Sequence, residues 1–169
     1  VQVFCGSYLP EWRPGRDYRT TSSAKKESGG GVLLDLSHEL DYVQWIVGKV
    51  VPEYVVHDKV SDLDIETDDM LILVGCTAEM STVQITLNYF TRQPIRQVII
   101  EGEGISIEGN LVAGSVKITE DGNKLDYAWP DLTRNAGYEA EHEALLSSNT
   151  SNACTYEDGL DTVCLIDTI

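Results

Sequence analysis

His38 is the residue in this chain best placed to do chemistry, and Asp35 stands three positions before it. An imidazole has an unperturbed pKa of about 6.5, so it can take a proton from a hydroxyl group near neutral pH. Residues three apart share a helix face, so a carboxylate at 35 would orient the ring or bind a substrate hydroxyl. A lone histidine can equally be an ordinary hydrogen-bonded helix residue. The elements that carry the pair must decide between the two.

Gly29-Gly30-Gly31 precedes the pair and Gly48 follows it. Three glycines allow a tight turn and a close backbone approach, and Gly48 stands where a helix C-cap glycine is expected. The spacing predicts one helix over about 31–47. On a wheel of about 100° per residue, Val32, Leu33, Leu36, Leu40, Val43 and Val47 gather on one side. Asp35, His38, Tyr42 and Trp45 form a stripe roughly opposite. This is the pattern of a core helix with one side lining a pocket.

The loop before the helix, about 10–28, is polar and rich in basic residues. Its Trp12, Arg13, Tyr18 and Arg19 are candidate substrate-binding groups, able to hold polyol hydroxyls or an acidic sugar; the alternative is an exposed loop with ordinary polar contacts. His57 reads as a surface or edge residue of a strand. Asp62, Asp64, Glu66, Asp68 and Asp69 form an acidic loop without the Asp-x-Asp-x-Asp-Gly calcium spacing, so a solvated turn is expected. Cys5, Cys76, Cys154 and Cys164 show no Cys-x-x-Cys pair, and no metal site is expected. Gly102-Glu103-Gly104 lacks a third glycine and runs into β-branched residues. It reads as a hairpin turn, and no cofactor-binding residue is expected in this chain.

A chain of 169 residues suits a single domain with its own core. Twenty-eight acidic residues against 12 basic ones give a net charge of −16, which repels phosphate backbones and argues against a nucleic-acid partner. No apolar run is long enough for a membrane helix, and nothing opens the chain as a signal peptide. A cytoplasmic location with reduced thiols is expected. The first residue is Val and already reads as strand, so the chain is expected to be part of a longer protein.

Strands are predicted at about 1–8, 54–60, 70–76, 80–90, 97–101, 105–108 and 111–119, joined mostly by short turns that favour antiparallel hairpins. Thr82 to Tyr89 alternates apolar and polar residues, as a strand with one covered face should. Closing helices are predicted at about 134–147 and 156–169. The expected fold is α+β: a mostly antiparallel sheet of about six strands with helices on one face. The other face would be either exposed to solvent or an interface.

The Gly29–Gly31 turn with Asp35, His38 and Asp41 resembles the GGG-x-x-x-D…H-x-x-D helix that opens the substrate domain of the glucose–fructose oxidoreductase / inositol dehydrogenase (Gfo/Idh/MocA) family. Ser7 to Pro14 with Asp17-Tyr18-Arg19 resembles the approach to that helix. Asn88-Tyr89-Phe90 through Arg96 to Gly102 resembles the family's long strands. Arg134-Asn135 with Tyr138, and Tyr156 to Leu160, resemble its closing helices. Many family members space the Asp and His four apart, whereas here they are three apart. The resemblance implies a hydride transfer between NAD or NADP and a sugar or polyol carbon, with His38 as the base and Asp35 beside it. It also implies an N-terminal dinucleotide-binding domain and a Glu-Lys-Pro lysine, both outside this chain, and a homodimer or homotetramer made through the open sheet face. The alternative is a non-catalytic binding or assembly domain of the same fold. On either reading the chain alone would be inactive.

Overall fold

The computed structural model describes residues 1–133, 135–149, 151 and 153–169. Strand β1 spans Gln2–Gly6, and four short 3-10 turns follow between Leu9 and Ser28. Helices α1 (Val32–Asp35) and α2 (Ser37–Val47) come next. Then β2 (Val50–Asp58), β3 (Met70–Thr77), β4 (Thr82–Asn88), β5 (Ile95–Gly102), β6 (Ile105–Asn110), β7 (Ser115–Glu120) and β8 (Asn123–Ala128) build the sheet. Helices α3 (Ala136–Leu146) and α4 (Tyr156–Asp167) close the chain.

The eight strands form one sheet in the order β2-β3-β4-β1-β5-β6-β7-β8. Every pairing is antiparallel except β1 with β4, where Gly6 lies opposite Asn88. The α+β architecture agrees with the sequence reading, but the sheet has eight strands rather than about six. The strand not anticipated is β8, whose residues are all exposed, so its alternation carries little apolar signal.

Alternation sets the packing. Leu71 and Leu73 of β3 and Val83, Ile85 and Leu87 of β4 are fully buried, while Thr82 and Gln84 face solvent. Val32, Leu40 and Val43 cover them from α1 and α2, joined by Val3, Leu9, Val98 and Leu165 in one core. Each fully buried aliphatic side chain contributes about 1.5–3 kcal/mol, so this layer holds the helix pair against the sheet.

The helices do lie on one face, but they cover only its β2–β4 half: α1 packs on β3 and β4, and α4 on β2 and α2. Leu125, Tyr127 and Trp129, in and just after β8, are about half exposed. Helix α3 buries no residue. Asn135 takes its N-cap position without a side-chain cap bond, and Tyr138 is exposed. Arg134 lies outside the described residues. Helix α4 starts on a capping box, in which Thr155 Oγ1 accepts from Asp158 N and Asp158 Oδ2 accepts from Thr155 N. Among the described residues, no helix is long and apolar enough to cross a membrane.

Candidate active site

The expected single helix over 31–47 is two helices. Leu36 leaves the helical region at φ −109°, ψ 21° and joins α1 to α2. Gly31, at φ 121°, starts α1 but has no side chain to cap it. Asp68 caps it from the other side of the fold: Leu33 N donates to its Oδ2 at 3.0 Å, and Val32 N donates to its carbonyl at 3.2 Å. His57, exposed on the edge strand β2 as expected, also has its Nε2 3.1 Å from the same Oδ2 and so braces the helix start. The acidic loop likewise does more than meet solvent. Asp69 is fully buried and accepts from Val60 N at 2.7 Å and Ser61 N at 3.1 Å.

The register brings four strand ends together at one end of the sheet: Gly6 pairs with both Asn88 and Ile95, and Asn88 pairs with Met70. The candidate residues collect in the loops and helix starts around that end. Asp35 accepts a hydrogen bond from Tyr89 Oη at 2.7 Å, and Trp12 packs edge-on against the Tyr89 ring at 5.2 Å. Trp12 also donates its indole N–H to Ser7 Oγ at 2.7 Å. Burial first, then the bond to Asp35, keeps the Tyr89 phenol protonated and a donor. Tyr18 lines a cleft of about 390 Å³ with Tyr8, Phe90 and Arg92, whose guanidinium lies over the Tyr8 ring at 3.8 Å. Arg13 is exposed. Arg19 is taken up inside the loop, forked onto Asp17 at 2.7–3.1 Å and 3.5 Å from Asp64.

His38 has a side chain about half exposed, at 52 %. The carboxylate beside it is Glu39, not Asp35: His38 Nε2 lies 3.2 Å from Glu39 Oε1. The Glu39 side chain has no exposure at all. Arg96 Nε of β5 lies 2.7 Å from the same Oε1, and Tyr42 Oη donates to Oε2 at 2.9 Å. Neither His38 nor Arg96 is aligned for a hydrogen bond with Oε1. Cys5, opposite Arg96 in the sheet, completes the group; burial, then the charge of Glu39, pushes its thiol up to about 12, so it stays protonated.

Burial alone would raise the Glu39 pKa, but His38, the Arg96 charge and the Tyr42 bond outweigh it and the carboxyl sits below its ordinary 4.5. A carboxyl depressed in the folded state contributes stability above its unfolded pKa and loses it as pH falls through the folded one. Glu39→Gln should therefore flatten the fall in stability below about pH 4.5; urea midpoints read from pH 6 down to 3 that fall as steeply as wild type would refute this.

Glu39 and Arg96 were not legible as site residues, although one signal existed. The same wheel puts Glu39 beside Val32 at the margin of the apolar side, and an acid there needs a partner. Arg96 could not be chosen as that partner, because only the β1–β5 register carries it to Cys5 and Glu39.

The profile of the GFO/IDH/MocA C-terminal domain matches residues 1–108. The chain belongs to the Gfo/Idh/MocA family. No curated protein matches the sequence significantly. Solved structures show the same fold. A levoglucosan dehydrogenase in complex with NADH is 13% identical with a TM-score of 0.78, covering 100% of this chain and 55% of its own. The UDP-N-acetylglucosamine 3-dehydrogenase of Acidithiobacillus ferrooxidans is 15% identical with a TM-score of 0.72, covering 99% of this chain and 51% of its own. The WlbA dehydrogenase of Bordetella pertussis, in complex with NADH and UDP-GlcNAcA, is 19% identical with a TM-score of 0.70, covering 99% and 52%. At these identities the likeness is one of fold. This Gfo/Idh/MocA domain spans about half the length of the structures it matches.

Proposed function

We propose that residues 1–169 form one domain, the substrate-binding and assembly half of a two-domain NAD(P)-dependent dehydrogenase that acts on a sugar or polyol hydroxyl in the cytoplasm. The observation that carries this reading is the half-exposed His38 imidazole at the sheet end, backed by the buried Glu39 and Arg96. Family membership and the sugar dehydrogenases of the same fold support the substrate class.

Gly102-Glu103-Gly104 is the tight turn between β5 and β6, where Gly104 takes φ 76°, and no helix follows to present its amides. On this reading nicotinamide binding belongs to a domain outside these residues, and the cofactor when bound supplies the hydride acceptor. The residues present here do the rest. His38 takes the hydroxyl proton. Asp35, held by Tyr89, keeps its second oxygen for a substrate hydroxyl. Trp12, Tyr18 and Arg13 line the approach, and Arg19 stiffens that loop through Asp17.

The test is nicotinamide absorbance with the full-length protein against a panel of sugars and polyols. Turnover of at least one is expected, and none on any would favour a binding domain without catalysis. Asp35→Ala should raise the KM for that substrate more than it lowers kcat, because it removes a binding contact rather than the base. An unchanged KM would take Asp35 out of the site.

Assembly follows from the helix-free sheet face, where Phe4, Ile72, Val74 and Ile99 mix with Gln2, Gln84, Thr86 and Gln97. A homodimer or homotetramer through that face is part of this reading. Light scattering of the full-length protein should return a multiple of the protomer mass, and Ile99→Lys should reduce it. A monomer at tens of micromolar would count against it.

A further inference from the structure

A fully buried carboxylate on the apolar side of a helix needs an account. Taking a charge out of water costs more than one ion pair returns, unless the geometry is good and the remaining lone pairs are satisfied. The Glu39 geometry is satisfied on one side only. Oε2 has the Tyr42 hydroxyl at 2.9 Å. Oε1 has Arg96 Nε at 2.7 Å and His38 Nε2 at 3.2 Å, neither aligned as a hydrogen bond. An arginine that neutralises a carboxylate most strongly does so as a two-pronged fork, and Arg96 forms no such fork on Glu39. Oε1 therefore keeps bonding capacity next to an imidazole nitrogen.

We infer that Glu39 is a positioning residue for His38: on a small turn of the half-exposed ring its unfilled Oε1 takes the Nε2–H, which leaves Nδ1 as the nitrogen that accepts the substrate proton. The inference rests on the reading of His38 as the base. The hydrogen bond made by one ring nitrogen decides which form of the other is presented. Arg96 and Tyr42 fix the carboxylate from β5 and from the next turn of α2. In the proton step the substrate O–H bond breaks, an N–H bond forms at Nδ1, and the electron pair stays on the substrate oxygen. The ring becomes a cation, and the charge of the fully buried Glu39 at 3.2 Å stabilises it. No proton passes to Glu39. Tyr42 and Cys5 stay protonated beside it and do not compete for that role.

A double-mutant cycle in the full-length protein tests this, on whichever sugar or polyol the panel identifies. Glu39→Gln keeps the size of the side chain and removes its charge. It should lower kcat about 10- to 100-fold, the usual worth of a group that orients a catalytic one, with KM little changed. In the His38→Ala background the same substitution should cost nothing further, because its effect runs through the ring. Wild-type kcat in Glu39→Gln, or a double variant slower than His38→Ala by the full single-variant factor, overturns the inference. If His38→Ala itself keeps wild-type kcat, the base reading fails and this inference falls with it. A slow His38→Ala beside a silent Glu39→Gln overturns the inference alone. Should circular dichroism show Glu39→Gln unfolded, Tyr42→Phe replaces it in the cycle. That variant removes the donor to Oε2 and should lower kcat by a smaller factor that also vanishes without His38; an effect that persists there overturns the inference.

Discussion

Replacing His38 by alanine should lower kcat of the full-length protein by about 10²- to 10⁴-fold, the usual worth of a positioned acid–base group. The ring is half exposed, so a substrate can reach it, yet a buried acid lies 3.2 Å behind it. Affinity for the nicotinamide should stay nearly intact, because the proposed reading places its binding in another domain. Steady-state kinetics with the cofactor varied and then the sugar varied would separate the two effects. Wild-type kcat in His38→Ala would return the residue to an ordinary place in α2.

Much of this was readable from the residues, and the failures share one cause. Gly29–Gly31 and Gly48 bracket the helices because glycine chemistry is local, and the β3 and β4 alternation declares its buried face for the same reason. The break at Leu36 is invisible locally. Leu36 continues the apolar pattern and is buried as the wheel requires, while the forces around the break come from afar: Tyr89 holds Asp35, and Asp68 caps Leu33. Trp12 and Tyr18 were picked for their chemistry, and the structure brings both to the sheet end. Arg19 was picked on the same grounds, yet Asp17 and Asp64 engage it. Residue type marked a candidate in each case, but only tertiary partners show whether its donors are free. Glu39 is the converse, an acid overlooked because its charge partner Arg96 lies on β5.

The glycine turn should rank its three positions in stability, Gly31→Ala worst and Gly29→Ala mildest. Gly29 takes φ 69°, and a Cβ there would meet nothing within 4 Å, so alanine adds only the left-handed backbone cost of about 1–2 kcal/mol. At Gly30 a Cβ would fall 2.0 Å from the Ser22 carbonyl oxygen and 2.7 Å from that of Ser23. Those are backbone atoms that cannot rotate away, so the two loop segments must part, at roughly 1–3 kcal/mol. Gly31 combines both penalties. Its φ of 121° strains any side chain, and a Cβ would fall 2.0 Å from Asp68 Oδ1. Moving Asp68 also loosens its hold on Leu33 N and its contact with His57. Roughly 3 kcal/mol or more is expected there. Because α1 leads directly into α2, kcat should fall with Gly31→Ala even under conditions where the protein stays folded. Urea midpoints of the three variants, read beside kcat, check the order. If Gly29→Ala cost as much as Gly31→Ala, backbone conformation alone would explain the motif. The packing of the turn onto Asp68 would then play no part in holding the site.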